Sequence, residues 1–521
     1  MSVLVTPDEM RVAEAAAIAS GRPERELMRA AAEQIADWID SNVRRRTGEP
    51  RLAVALVGPG NNGGDALVAL AILIERGWRC AAVFMGRSGL GDLPASDSLI
   101  RQVEVGGVEA FDAANVILDG VYGVGGRASL PDDVATAFRR ALDMRIDHGT
   151  PLVAIDVPSG IDPASGAADP DAFQADVTLC LGLPKWGLVR EPAASHAGEL
   201  EVLDIGVTGP EGDRRPRLID ERAVRRSLPR RRVSAHKHQT GAVLVIGGAP
   251  AYYGAPRLSA EAAARAGAGL VCVAAPAAVI PVIAAQVPEL VFLPLDESAS
   301  LAAEQTAEWI RQRNGHLDSI VVGPGLSQSA FASAFLDQVF GGNGAVAIAS
   351  SARDSNLSTL VLDADCLNWI AKQGSLPASV HGSRVVMTPH AGELSRLVGS
   401  STAAILGDPV TAARHAAERF GATVVLKAGY SIAAAPDGSV WLAPRAAPEL
   451  ATAGTGDVLA GMIGGFLAQG LLPNEAACAG LFVGSQAARL ARHERGLLGV
   501  AARDVIEQIP VTMRTLMAPM W

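Results

Sequence analysis

Short, unbroken apolar runs separated by helical periodicities dominate the pattern of this 521-residue chain. Arg51 to Val57, Val116 to Asp119 and Leu152 to Asp156 read as strands, and the last two end in a carboxylate. So, further along, do Ala242 to Ile246, Ser319 to Val322, Leu360 to Leu362, Val385 to Met387 and Val424 to Leu426. Runs that are apolar throughout belong to strands covered on both faces, and their alternation with helices predicts parallel sheets in an α/β fold. Helical stretches open the chain, with apolar positions at Met10, Val12 and Ala16 and then at Leu27, Met28, Ile35 and Trp38. Towards the other end, Val458, Leu459, Met462, Ile463, Phe466 and Leu467 share one face of a helix. The small residues Ala460, Gly461, Gly464 and Gly465 take its other face, and Gly470 marks its stop.

A chain of this length exceeds one hydrophobic core, so at least two domains are expected. The pattern breaks between Thr208 and Val233, where Gly209-Pro210-Glu211-Gly212 and Pro229-Arg230-Arg231-Arg232 read as solvated linker. The expected division is a first domain over 1–212, a linker over 213–232 and a second domain over 233–521. Ala266 to Val287 is apolar, but its glycines and prolines fit a buried strand (Leu270 to Ala274) and a packed helix better than a membrane span. With 49% hydrophobic and 19% charged residues the chain is globular, and its net charge of −10 argues against nucleic acid or an anionic membrane as partner. The five cysteines are scattered and form no CxxC pair, so they read as buried apolar residues in a reducing compartment. The N-terminus lacks the basic and apolar regions of a signal peptide. A cytoplasmic homo-oligomer is expected.

In open α/β sheets ligands bind beyond the carboxyl ends of the strands, and three glycine-rich strand ends occur in the first half. Gly58-Pro59-Gly60-Asn61-Asn62-Gly63-Gly64-Asp65 is not the GxGxxG dinucleotide fingerprint. Asp119-Gly120-Val121-Tyr122-Gly123-Val124-Gly125-Gly126-Arg127 and Asp156-Val157-Pro158-Ser159-Gly160 are the other two. Their amide, carboxylate and hydroxyl oxygens suit a hard monovalent cation beside an anionic ligand; the plainer alternative is that Asp119 and Asp156 only cap turns. In the second half, Ala453-Gly454-Thr455-Gly456-Asp457 opens a helix. Free backbone N–H groups and the helix dipole there suit a phosphoryl group, and Asp457 could take the proton of an attacking hydroxyl. The alternative is an N-cap aspartate. Lys427, directly after a strand, fits a phosphate contact, the alternative being a solvated strand-end lysine; His390, after Thr388-Pro389, reads on its own as a surface residue.

The three first-half runs, with Glu26-Leu27-Met28 in the opening helices, resemble the NAD(P)H-hydrate epimerase domain. That resemblance implies a Rossmann-like three-layer αβα domain. It implies substrate contacts at Asn61, Asn62, Gly63, Gly64 and Asp65 and at Gly123, Val124, Gly125, Gly126 and Arg127. It further implies potassium at Asn62, Asp119 and Ser159, and Asp156 as the acid/base at the hydrated nicotinamide. Ala66 departs from the family's usual Gly, with a small effect expected.

In the second half, the run from His236 to Gly248, Tyr253-Gly254-Ala255-Pro256, Gly323-Pro324-Gly325-Leu326, Asp363-Ala364-Asp365, Thr388-Pro389-His390-Ala391-Gly392-Glu393 and Ala451 to Asp457 resemble the ribokinase-like NAD(P)H-hydrate dehydratase domain, again αβα. The resemblance implies that Ala255, Gly325, His390 and Asp457 contact the hydrated cofactor. By the same resemblance Lys427, Ala428, Gly429, Tyr430, Ser431 and Gly456 hold the adenine nucleotide. Departures are Gln239 for an acidic residue, Ala428 for a Gly, Ala447-Pro448-Glu449-Leu450 for an Asn-Pro turn, and Gly484 where a His is frequent.

The implied activity is metabolite repair. An isomerase would interconvert the R and S hydrates of NADH and NADPH, and a lyase would dehydrate the S form at the expense of ADP, giving AMP and phosphate, with Mg2+ on the nucleotide and K+ in the first domain. The fused arrangement resembles the bacterial type, which favours ADP over ATP. Two rivals are a small-molecule kinase, against which the Asn61–Asp65 loop counts, and a first half that only binds ligand, against which Asp156 counts.

Overall fold

The computed structural model describes residues 1–43, 51–87, 103–210, 212, 214–231, 240–312, 317–341, 359–380 and 384–517. The expectations at His236, Lys237, His238 and Gln239, and at the linker ends Asp213 and Arg232, lie outside them. The chain forms two compact units: Ser2–Leu218 with Pro444–Ala446, and Ile219–Ala443 with Ala447–Trp521 and Met1.

In the first unit a short ladder pairs β1 (Ser2–Val3) with β9 (Arg217–Leu218). The main sheet holds β2 (Leu52–Val57), β3 (Arg79–Phe84), β4 (Glu104–Val105), β5 (Val116–Gly120), β6 (Leu152–Ile155), β7 (Val177–Leu181) and β8 (Glu199–Leu203), in the order β4-β3-β2-β5-β6-β7-β8. Every pairing in it is parallel. Period-2 geometry sends alternate side chains to opposite faces. Ala53, Ala55, Val57, Leu118 and Val153 pack with Ile35, Ile39, Leu67 and Leu70 from helices Glu24–Asn42 and Asn61–Glu75. Val54, Leu56, Ile117 and Ala154 pack with Val134, Phe138 and Ala141 from helix Asp132–His148. Both faces are covered, which is why these strands read as continuous apolar runs.

The opening helix differs from its expected pattern. Helix Pro7–Ala19, capped by Thr6, buries Met10, Ala13 and Ala17, whereas Val12 is exposed.

In the second unit, β10 (Ala242–Ile246), β11 (Leu270–Pro276), β12 (Val291–Leu295), β13 (Ser319–Val322), β14 (Thr359–Leu362), β15 (Arg384–Met387) and β16 (Thr423–Leu426) are parallel. β17 (Ile432–Ala434) and β18 (Val440–Leu442) extend the sheet antiparallel, and the order is β18-β17-β16-β15-β14-β13-β10-β11-β12. Val243, Val245, Val321, Val361, Val386 and Val425 pack against helices Gly254–Arg265, Thr455–Ala468 and Pro473–Arg495. The expected linker contains β9 and a helix, Glu221–Ser227, started by the Asp220 carboxylate accepting from Ala223 N–H. Val224 and Leu228 enter the second unit's core, so one apolar residue on the helix and one just after it draw this arginine-rich stretch into ordered structure. All five cysteines are buried thiols outside any disulfide. Among the described residues no helix is long and apolar enough to cross a membrane.

Candidate active sites

In the first unit the chain reverses direction across the sheet between β2 and β5, so the loops leaving these strands lie side by side at their carboxyl ends. A β-carbon on Gly58 would stand 1.9 Å from the Val121 carbonyl oxygen, so only glycine allows this approach. Asn61 begins the following helix behind Gly60, which supplies no side-chain cap. The residues from Asn61 to Asp65 are thus a first helical turn rather than a loop. Ala66, the departure from the expected Gly, is fully buried with its methyl against Gly120, where a β-carbon would come within 2.7 Å. The glycine on β5 makes room for it.

Asn62 is buried, and its Nδ2 donates to the carbonyls of Tyr122 (2.9 Å) and Ile155 (3.0 Å). Asp119, next to last in β5, has no exposure. It accepts from Ser159 N (2.7 Å), Ser159 Oγ (2.7 Å) and Val121 N (3.1 Å). Burial pushes its carboxyl up to about 6 despite these hydrogen bonds, and no cation is among the groups that shift it. Asn62, Asp119 and Ser159 are therefore brought together.

Asp156 follows β6 with φ of 67°, in the left-handed region that strains a non-glycine residue. Its Oδ1 accepts from Leu181 N (3.1 Å) and from Lys185 Nζ. Its Oδ2 accepts no hydrogen bond from a described residue and lies 3.3 Å from where a β-carbon on Gly123 would stand. Asp65 is 8% exposed; burial first, then Asp156, Glu14 and Glu24, hold its carboxyl well above the usual range. Asn61 Nδ2 donates to Glu24 Oε1 at 2.7 Å. The turn of Gly123 to Gly126 closes through Gly126 N to Gly123 O (2.8 Å), while Arg127 is exposed. Lys185, with no exposure, is the residue that sequence reasoning missed. Its partner is far away in sequence, and the one available signal was a lone lysine inside the apolar run Leu181-Gly182-Leu183-Pro184-Lys185-Trp186-Gly187-Leu188.

In the second unit the reversal falls between β10 and β13. Gly248 N donates to Pro324 O (2.9 Å), joining the two strand ends. Gly325, at φ 65°, sits so close to Ala255 that a β-carbon would lie 2.9 Å from the alanine methyl. The expected contacts Ala255 and Gly325 thus meet.

The ends of β14, β15 and β16 gather charge around one lysine. Lys427 Nζ is 3.0 Å from Asp363 Oδ1 and 3.9 Å from Glu393 Oε2. Burial opposes its charge, but Asp363 and Glu393 outweigh burial and hold it above the usual lysine range. Asp363 also accepts from Thr388 Oγ1 (2.7 Å), and Asp365 from Ser327 N (2.7 Å). His390 is exposed, and its side chain caps a helix. Its Nδ1 accepts from Gly392 N (3.0 Å) and Glu393 N (3.3 Å), capping helix Ala391–Val398, and its Nε2 is 3.5 Å from Glu393 Oε1. Burial, then Lys427 and Arg396, lower its pKa. Asp363, Asp365 and Glu393 stand in recognised motifs, but sequence reasoning gave them no role.

Helix Thr455–Ala468 starts behind Gly454, whose φ of 92° lets the chain turn into it. Thr455 N already donates to Thr452 O (3.4 Å); the N–H groups of Gly456 and Asp457 have no acceptor among the described residues. Asp457 is therefore not the N-cap: it lies in the first turn, and its carboxylate accepts no hydrogen bond from a described residue. Burial first, then Asp363, Asp365 and Glu393, push it up to about 7 against the pull of Lys427. The small face of the helix lets it pack tightly. A β-carbon on Gly461 would fall 2.0 Å from Ser259 O, and one on Gly464 2.5 Å from a Val321 methyl. Ala428 to Ser431 form the turn after β16, with Tyr430 buried and Ser431 Oγ donating to Ala428 O at 3.3 Å.

Two units built on largely parallel sheets, each gathering polar side chains at the carboxyl ends of its strands, define a two-domain α/β enzyme. A family model described as YjeF-related protein N-terminus matches residues 24–187, and one described as NAD(P)H-hydrate dehydratase matches residues 243–511. The bifunctional NAD(P)H-hydrate repair enzyme of Moorella thermoacetica is 32% identical over 520 residues, spanning 95% of this chain and 93% of its own length. That of Salinibacter ruber is 35% identical over 492 residues, spanning 89% and 87%. A solved structure of an ADP/ATP-dependent NAD(P)H-hydrate dehydratase from Bacillus subtilis, co-crystallised with ATP/Mg2+, is 26% identical and covers 58% of this chain and 98% of its own, with a TM-score of 0.48. The chain belongs to the family of bifunctional NAD(P)H-hydrate repair enzymes, which join epimerase and dehydratase activities.

Proposed function

We propose that the two activities reside in the two sites described and that the first acts through Asp156. In hydrated NADH or NADPH, C6 carries both the added hydroxyl and the ring nitrogen. Taking the hydroxyl proton lets the C6–N bond open to an aldehyde, and closure from the other face with return of the proton inverts C6. Asp156 Oδ2, unengaged and facing the Gly123 turn, is the proton acceptor in this reading. Asn61, Asn62, Gly63, Gly64 and Asp65, with Gly123, Val124, Gly125, Gly126 and Arg127, would hold the substrate. Asn62, Asp119 and Ser159 fit K+: a buried carboxylate with no cation to offset it, a hydroxyl and facing carbonyls are the hard oxygen donors such an ion takes. The ion would supply positive charge that steadies these loops.

In the second site Asp457 takes the C6 hydroxyl proton as the oxygen attacks the β-phosphoryl group of ADP, and AMP leaves. Phosphate then departs from C6, pushed by the ring nitrogen lone pair, and loss of the C5 proton completes NAD(P)H. The free N–H groups of Gly456 and Asp457 face the charge that develops on the transferring group. Ala255, Gly325 and His390 would contact the hydrated ring, and Lys427, Ala428, Gly429, Tyr430, Ser431 and Gly456 the nucleotide. Mg2+ would enter bound to the phosphates of the nucleotide substrate. The protein would act in the cytoplasm as a homo-oligomer.

The observation that carries this reading is an unpartnered carboxylate, pushed up to about 7, at a helix start with free N–H groups. The test is recovery of reduced-nicotinamide absorbance from racemic or S-only hydrated NADH with ADP or ATP. Racemate fully restored with ADP, and half-restored by the Asp156→Asn chain, supports it; a stable phosphorylated product would favour a kinase.

A further inference from the structure

We infer that Lys185 is the positioning residue of the epimerase site, fixing Asp156 with one oxygen tied and the other offered to substrate. This rests on the reading of Asp156 as the acid/base. Lys185 has no solvent exposure and leaves Pro184 on the loop after β7. Its ammonium donates to Asp156 Oδ1 and, at 3.2 Å, to Leu181 O. Leu181 N donates to the same Oδ1 at 3.1 Å. Two donors therefore hold one oxygen, and Oδ2 is left facing Gly123, in the turn beside the Asn62 amide.

The loop that carries Lys185 is itself fixed. Val5 N donates to Pro184 O (3.0 Å), and Trp186 N donates to Val5 O (2.8 Å), with Val5 1% exposed. The lysine backbone is thus gripped on both sides by the N-terminal segment. Burying an ion pair is a poor route to stability, because apolar residues of similar volume do as well or better. A pair kept in a core, joined to a backbone held at φ 67°, instead marks a group whose orientation matters. The charges around it sharpen the point. The Asp156 carboxylate raises the pKa of both Glu14 and Asp65 beside it, the Cys180 thiol is pushed up to about 12 by burial, and Lys185 is ion-paired with the carboxylate.

The test uses the full chain, its second activity serving as internal control. In Lys185→Met, kcat for epimerisation of the R hydrate falls about a hundredfold, the scale of a misplaced catalytic group. KM stays within about twofold, dehydration of the S hydrate is unchanged, and Lys185→Arg regains at least about tenfold of the loss. An unchanged kcat, a loss confined to KM, or no recovery with arginine overturns the inference. If Lys185→Met abolishes the first unit's melting transition, Lys185→Arg decides alone. A kcat within about tenfold of native at unchanged KM supports the role, and a folded chain as inactive as Asp156→Asn refutes it. Asp156→Asn separates the two layers: if it still epimerises, the reading of Asp156 fails, whereas a silent Asp156→Asn beside an unaffected Lys185→Met sinks only the role of the lysine.

Discussion

Gly456 and Lys427 meet at the mouth of the second site: a β-carbon on Gly456 would lie 3.2 Å from Lys427 Nζ. The obstacle is the far end of a flexible side chain, so Gly456→Ala is tolerated by the fold but displaces the ammonium that contacts Asp363 and Glu393. KM for ADP is expected to rise about tenfold with the melting temperature held within a degree or so, the loss of one charge-assisted contact. Steady-state kinetics with ADP varied check this.

The dehydratase pH profile follows from the surroundings of Asp457. A base must be ionised, so kcat/KM for the S hydrate should climb with pH through about 7 and level off above it. Asp365→Asn removes a like charge and moves the midpoint down. Lys427→Met removes the opposing charge and moves it up.

Gly461 tests packing separately from chemistry. Its missing side chain is replaced by the Ser259 carbonyl, a backbone atom that cannot swing aside. Gly461→Ala should destabilise the second unit by about 1–3 kcal/mol, the cost of overpacking. Differential scanning calorimetry should show that unit's transition several degrees lower, with epimerase activity intact.

The strands and the loops that leave them were legible because strands buried on both faces must be apolar throughout and must release the chain at their carboxyl ends. The reading of Ala242–Ile246 and Ser319–Val322 matches β10 and β13 residue for residue. What escaped was set by tertiary structure. Val12 looks apolar and helical yet faces outward, since the helix buries alanines that carry little sequence signal. Helix Glu221–Ser227 hides in a stretch whose arginines and prolines mask the buried Val224 and Leu228. The N–H of Thr455, inside the glycine run that was expected to offer free donors, is already bonded to Thr452. Lys185 could not be found at all from spacing, since what gives it meaning is a carboxylate brought to it by the sheet.

Potassium should stabilise the first unit. An ion that binds only the folded site raises stability with its concentration, and Asp119 brings a buried, uncompensated carboxylate to it. KCl is expected to raise that unit's melting temperature above an equal concentration of tetramethylammonium chloride. Asp119→Asn should erase the difference and slow epimerisation.

The most direct test of the account is the Asp457→Asn chain given S-hydrated NADH and ADP. The account predicts a fall in absorbance recovery of about 10²–10⁴-fold, the span of a lost general base, with melting temperature and epimerase activity retained. Recovery at the native rate would contradict it.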